Sequence, residues 1–275
     1  MDTYRVYTRT ERSRGGNHPR NEDAHLFCEL SFMGDLKLQL MVVADGLGGL
    51  SDGDVASRNG VRGFASSLYN RLMKEYLDWD ITLDSAAYHG DRMKEIVQEA
   101  IRDANHTVCT QTRDPLLPTG TTLSVVLLAG QFGIVANVGD SPVYLYRARE
   151  RKLRLISQLQ TKAERDAEAG LYERYSPEYY SNDHIVCHIL GEFDPLEENA
   201  IYSRLVGDLK PGDMILAGSD GSFGRMLEDE IRSYLEQEDP EHVLELLFRR
   251  ARQDKNDDQT AILCIKDAPA EDREE

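Results

Sequence analysis

Short apolar runs, two of them stopping at an aspartate followed by glycine, alternate along this chain with stretches of helical periodicity. Residues 4–10 alternate apolar and polar positions and predict an opening strand, and 9–20 follow as a polar, basic loop holding Arg12, Arg14, His18 and Arg20. Residues 24–31 and 36–44 read as two strands joined at Met33-Gly34-Asp35. Paired as a hairpin, they bring Glu22, at the start of one, and Asp45, at the end of the other, to the same sheet edge. Ser51-Asp52-Gly53-Asp54 then reads as the cap of a helix over 55–76, where Val55, Val61, Phe64, Leu68 and Leu72 fall at helical spacing. A second helix over 91–112 buries Met93, Ile96, Val97, Ala100, Ile101 and Ala104, so the pair is expected to cover one face of a sheet. Between them, 77–90, with the lone Trp79, reads as a surface insertion.

Thr119-Gly120-Thr121-Thr122 opens a β-rich stretch: 123–129, 132–137 and 142–146, joined by Gly130-Gln131 and Gly139-Asp140-Ser141, predict an antiparallel meander. Residues 147–152 form a charged tip, 153–156 return as a strand, and 161–169 form a short helix stopped by Gly170. Residues 171–183, with Tyr172, Tyr175, Tyr179 and Tyr180, have neither period and read as a long loop or flap, the tyrosines packing on a sheet edge. Residues 185–190 resume β character. The strand 214–218 stops at Ser219-Asp220-Gly221, two helices cover about 227–237 and 240–253, and Asn256-Asp257-Asp258-Gln259-Thr260 leads into a last strand over 261–266. Residues 1–266 therefore read as a single α+β domain and 267–275 as a frayed acidic tail.

The chemistry concentrates at the strand ends. Gly46, Gly48 and Gly49 remove the Cβ atoms that would block a tight turn after Asp45, and an acidic lead residue with no lysine beside the glycines points to a cation rather than to direct phosphate binding. Asp45 and Asp220 end apolar strands, while Glu22 and Asp257 stand at or before strand starts, so one rim is expected to gather four carboxylates. Such a group repels itself unless divalent cations neutralise it. Oxygen donors favour hard ions such as Mg²⁺ or Mn²⁺ over zinc, and two of them roughly 3.5 to 4 Å apart lower the pKa of a shared water toward neutrality.

Composition narrows the partners. With Lys+Arg 32 against Asp+Glu 49 in 275 residues, the formal charge of −17 disfavours nucleic acid and anionic membranes. No N-terminal stretch has signal-peptide character and no window approaches the roughly twenty apolar residues of a membrane helix, so a cytoplasmic location is expected. Cys28, Cys109, Cys187 and Cys264 stand singly and read as reduced core thiols. His184 and His188 are read as structural, because no glutamate follows the first one as in a zinc-protease helix.

Taken in order, Asn21-Glu22-Asp23-Ala24, Asp45-Gly46-Leu47-Gly48-Gly49, Thr119-Gly120-Thr121-Thr122, Asn137-Val138-Gly139-Asp140-Ser141, Ser219-Asp220-Gly221 and Asp257-Asp258-Gln259-Thr260 resemble the metal-dependent serine/threonine protein phosphatases of the PPM, or type 2C, family. Each segment alone is weak, since aspartate before glycine is ordinary turn chemistry, but together they span about 14–265. The resemblance implies a sandwich of two antiparallel β-sheets flanked by α-helices, with two Mn²⁺ or Mg²⁺ ions at one end. It implies that Asp45 bridges the ions, that Glu22 and the Gly46 carbonyl hold one, and that Asp220 and Asp257 hold the other. Asp23 then positions water, and a bridging water attacks phosphorus without a phosphoenzyme. The implied partner is a phosphorylated protein of a cognate Ser/Thr kinase, and a monomer is expected.

The departures from the family pattern are specific. His18 stands where many relatives place a phosphate-contacting arginine, which leaves Arg20 or Arg14 to substitute, and Leu47 replaces a histidine, which leaves His18 or a metal-bound water as proton donor. Asp258 replaces an asparagine beside the metals, and Pro142 replaces an arginine and is expected to relax its turn. The aspartate tied to a third ion is missing at Leu117, with Asp114 the nearest substitute. Asp140 is read as a carboxylate satisfying turn amides. A weakly catalytic binding module and a phosphatase of small phosphoesters stay as alternatives.

Overall fold

In the computed structural model, which describes residues 4–14, 19–31, 37–47, 52–78, 86–111, 119–237 and 239–268, the chain opens with strands β1 (Tyr4–Glu11), β2 (Asp23–Ser31) and β3 (Lys37–Leu47) and two long helices, α1 (Gly53–Asp78) and α2 (Ala86–Thr110). Strands β4 (Gly120–Thr121), β5 (Leu123–Ala129), β6 (Phe132–Val138), β7 (Val143–Arg147) and β8 (Lys152–Leu155) follow, then short helices α3 (Lys162–Glu168) and α4 (Pro177–Tyr180). The chain closes through β9 (Tyr202–Val206), β10 (Met214–Gly218), α5 (Glu228–Gln237), α6 (Pro240–Ala251) and β11 (Gln259–Lys266).

The period of two in β3 sets the layers. Leu40, Val42 and Ala44 share a core with Phe64, Leu68, Ile96 and Ile101 of α1 and α2. Met41 and Val43, one step out of phase, share another with Ile215, Ala217 and Ile262 of the opposing sheet. A third core sets Leu216 and Leu263 against Leu244, Leu247 and Phe248 of α6. Two sheets packed face to face with a helix pair outside each therefore follow from strands apolar on both faces. One sheet runs β1-β11-β10-β7-β8, the other β2-β3-β5-β6-β9 with β4 paired to β3, and the strand pairs are antiparallel. The expected α+β sandwich is what is found. Among the described residues no helix is long and apolar enough to cross a membrane.

Several expectations need correction, the first being that β3 runs on to Leu47, so that Asp45 stands within the strand rather than after it. The meander breaks after β6, because β7 leaves for the other sheet, where it pairs β10. With Val143 and Leu145 in the inter-sheet core and Tyr144 and Tyr146 in the α6 core, β7 suits the interior of either sheet, and the turn decides. That turn is pinned rather than relaxed: Gly139 adopts φ +98, its N–H donates to Gln160 Oε1 at 2.7 Å, and Asn137 Nδ2 donates to the carbonyls of Gly139 (3.0 Å) and Gln158 (2.7 Å). Residues 185–190 make only isolated bridges, Thr161 to Val186 and Thr121 to Leu190, while the regular strand comes later as β9, a half-exposed edge whose composition hides its period. Finally, α2 starts at Ala86 rather than 91; Trp79 and the joint at Met33-Gly34-Asp35 lie outside the described residues. Cys264 is buried and Cys28, Cys109 and Cys187 are half-buried, all as free thiols.

Candidate active site

The hairpin of β2 and β3 places Asp23 directly opposite Asp45, and Glu22 sits one residue outside the ladder with its carbonyl accepting from Gly46 N–H at 3.2 Å. Two like charges face each other across a strand pair, which ordinary sheets avoid. Helix α1 begins against Gly46, within β3. A Cβ on Gly53 would lie 2.8 Å from the Gly46 carbonyl oxygen and 2.9 Å from Glu22 Oε1, so these two oxygens converge on one small space.

The second sheet adds its own acids at the same end. Ser219, just past β10, donates from Oγ to Asp23 Oδ2 at 2.8 Å and from its N–H to the Thr260 carbonyl at 2.9 Å, linking the ends of both sheets. Asp220 opens a 3₁₀ turn, Asp220–Ser222. Asp257 precedes β11, and its Oδ1 accepts from Asp258 N–H at 2.9 Å.

Burial pushes the Asp45 carboxyl well above the usual carboxylate range, and the charges of Asp23, Asp220, Asp257 and Asp140 push it further. Burial also pushes Asp23 up to about 8, with hydrogen bonds from Ser219 and Thr260 opposing and Asp258 and Asp220 adding to the rise. Asp140 is pushed up to about 7 by burial and then by Asp220, while Lys255 and, after it, the residue's own backbone amide pull it back. It nonetheless belongs to the acidic group, which sequence reasoning did not see. Asp23 Oδ1 and Asp220 Oδ1 are buried with no hydrogen-bond partner among the described residues.

The cation that answers these acids is one the sequence reading passed over. Lys255 Nζ contacts Asp220 Oδ2 and lies 2.8 Å from Asp257 Oδ2. No three His, Cys, Asp or Glu side chains among the described residues are gathered closely enough to hold an ion; the acids share their rim with this ammonium. Hard oxygen donors with orphaned, buried carboxylate oxygens and raised proton affinity fit a hard dication, which would relieve both costs. The only cue to Lys255 in sequence was a basic residue two positions before Asp257.

Other expected residues fall as follows. Arg20 Nη1 lies 3.2 Å from Asp54 Oδ2, which also takes Arg58, so Arg20 is tied to the first turn of α1 beside Gly53. Arg14 is held by its backbone to the Asn256 side chain. Asp258 does not add its charge to the metal rim alone: Oδ2 accepts from Glu22 N–H at 2.6 Å and Oδ1 from Ser13 N–H at 2.7 Å. An asparagine amide offers one acceptor where two backbone donors converge, which explains the aspartate. His18, Gly48, Gly49, Asp114 and Leu117 lie outside the described residues. His184 is exposed, and His188 Nδ1 is 3.6 Å from Glu197 Oε2.

A groove of about 540 Å³ runs from Asp140, Asp220 and Lys255 to the flap tyrosines Tyr175, Tyr179 and Tyr180. The flap is built rather than loose. Thr161 caps α3, Tyr179 OH donates to Glu164 at 2.5 Å, Arg174 pairs with Glu164 at 2.8 Å, and the Arg225 guanidinium stands 4.4 Å from the Tyr180 ring.

The raised carboxyls make the metal-free fold pH-sensitive. Their unfolded value is 3.8, against about 8 for Asp23 and about 7 for Asp140, so between those limits the folded state holds protons the unfolded state has released. Stability is full below the unfolded value and is lost as pH rises toward 8. In chelator, thermal unfolding at pH 8.5 should come roughly 5 °C or more below that at pH 5.5. Equal midpoints would mean that the acids are not protonated in the fold.

A family model described as "Protein phosphatase 2C" matches residues 12–260. A serine/threonine phosphatase, stp, of Listeria innocua is 26% identical over 229 residues, covering 82% of this chain and 81% of its own. In structure, the serine/threonine phosphatase of S. agalactiae superposes with a TM-score of 0.74 at 18% identity, over 96% of this chain and 99% of its own. The catalytic domain of the serine threonine protein phosphatase PstP, solved in complex with 2 manganese ions, superposes with a TM-score of 0.71 at 22% identity, over 98% and 100% of the two chains. With its sandwich, its acidic rim and a family match over most of its length, the chain belongs to the protein phosphatase 2C family.

Proposed function

We propose that this protein removes phosphate from phosphoserine and phosphothreonine in protein substrates, using two Mn²⁺ or Mg²⁺ ions held at the rim between its sheets. The observation that carries the reading is that Asp23, Asp220 and Asp257, from separate segments and both sheets, lie near enough to Asp45, at one end of the sandwich, for their charges to raise its carboxyl. Asp45 is assigned to both ions, Glu22 and the Gly46 carbonyl to one, and Asp220 and Asp257 to the other. When bound, such a pair of ions lowers the pKa of a water toward neutrality and neutralises phosphate charge.

The chain's own groups do the rest. Ser219 fixes Asp23 Oδ2 by donating to it, which leaves Oδ1 to accept a hydrogen bond from water and orient it. Arg20, anchored by Asp54, is assigned to the substrate phosphate, and His18 to protonating the departing seryl or threonyl oxygen. A third ion is not assigned. The phosphatase unit is taken as 1–266 with 267–275 appended, acting as a cytoplasmic signalling monomer opposite a cognate kinase, without nucleic acid or membrane. The net charge of −17 supports the last two exclusions.

The test is release of phosphate from phosphoserine and phosphothreonine peptides, against p-nitrophenyl phosphate and small phosphometabolites, in Mn²⁺ and in chelator. Peptide turnover that needs Mn²⁺ is the expected result. Turnover of metabolites alone would move the assignment to small phosphoesters, and no turnover at all would leave a binding module.

A further inference from the structure

The family motifs account for the acids of the rim, yet not for the cation that sits among them. Lys255 follows the C-terminus of α6, where its N–H donates to the Ala251 carbonyl at 3.0 Å and fixes the start of its side chain. From there the four-carbon stem reaches both Asp220 and Asp257, the two carboxylates assigned above to one ion, and its ammonium contacts one oxygen of each. The contacted oxygens belong to residues from separate segments, the turn after β10 and the approach to β11, so one tethered charge bridges two pieces of the site. Lys255 also lines the groove, and its side chain is 40% exposed.

We propose that Lys255 is a built-in competitor for the ion at Asp220 and Asp257: its ammonium holds the metal-free pair together, and that ion binds only by displacing it. The inference rests on the two-ion reading. An ammonium and a dication compete for these carboxylates, because both draw on the same negative charge and the two cations repel. Loading is therefore ordered. Among the described residues Asp45 makes no ion pair, so the position built around it and the Gly46 carbonyl fills first, whereas the Asp220 and Asp257 position, held by Lys255, fills at higher metal concentration. Lys255 then acts as a threshold that ties the assembled site to the free metal level.

Calorimetric titration of the full-length, metal-free protein with MnCl₂ tests this without reference to activity. In Lys255→Gln the weaker of the two dissociation constants should tighten by about tenfold, as expected when two part-exposed ion pairs no longer have to be broken. Lys255→Arg, which keeps the charge, should retain a weak second step. Thermal unfolding supplies a second readout. In chelator Lys255→Gln should unfold below the parent, because Asp220 and Asp257 lose their counter-ion, and the rise in midpoint on adding MnCl₂ should be larger in the variant. If Lys255→Gln fails to fold, Lys255→Met, which keeps the stem, takes its place. A second step in the neutral variant that is unchanged or weaker than in the parent would overturn the proposal. Absence of any Mn²⁺ binding in parent and variants alike would instead remove the two-ion reading, and this proposal with it.

Discussion

Asp45→Asn should reduce turnover of a Mn²⁺-supported phosphopeptide reaction by at least about a thousandfold, while making the metal-free protein more stable rather than less. The loss follows from the position of Asp45, which faces Asp23 across the hairpin and feels Asp220, Asp257 and Asp140. It is the residue assigned to both ions, and an amide oxygen holds a hard dication far less firmly than a carboxylate does. The gain has the same origin. A buried carboxyl pushed well above its usual range by burial and like charges costs the fold stability at neutral pH, and asparagine of almost the same shape removes that charge. Thermal unfolding in chelator at pH 7.5 should therefore place the variant several degrees above the parent, roughly 5 °C, and Mn²⁺ should raise the parent more than the variant. Near-parental turnover would remove Asp45 from the site. A destabilised metal-free variant would mean that its carboxylate is satisfied after all.

Gly46→Ala should be nearly as damaging by a different route. A Cβ built there lies 2.2 Å from the Gly53 carbonyl oxygen and 2.6 Å from the Glu22 carbonyl oxygen, and neither atom can rotate away as a side chain would. Something in the contact between β2, β3 and the start of α1 must move. The expected cost is about 3 kcal/mol or more, read as a fall of roughly 10 °C in the unfolding midpoint, with Mn²⁺ binding weakened because the Gly46 carbonyl and Glu22 are driven apart. A folded Gly46→Ala protein with the parent's midpoint and Mn²⁺ affinity would show that the close approach is dispensable.

Much of this site was legible in the sequence because its residues sit at punctuation points. Asp45 and Asp220 follow apolar runs whose period is unambiguous, so their arrival at one rim could be read without coordinates, although β3 runs on past Asp45 to Leu47 and pairs there with β4. What could not be read depends on pairing register and on contacts between distant segments. The hairpin pairs Asp23, not Glu22, with Asp45, a shift of one residue that no turn motif fixed in advance. The passage of β7 into the second sheet was hidden because its residues are apolar on both faces and fit either sheet. Asp258 looked like an extra charge beside the metals, whereas its oxygens hold the amides of Ser13 and Glu22, more than two hundred positions earlier in the chain. Lys255 carried no periodic signal, since a lone lysine in a loop is ordinary until the acids beside it are known. Strand β9 was missed because its alternation is blurred by an exposed Leu205.

The place of β11 in its sheet has a bearing on how the enzyme comes into being. This strand lies between β1 and β10, so β1 has no neighbour in its sheet until β11, far later in the sequence, has been made. Asp257 and Asp258 arrive with that same segment. A nascent chain should therefore stay silent toward phosphoproteins until residues 257–266 have been made, and a polypeptide cut before Asp257 would have an open seam and no dephosphorylating power.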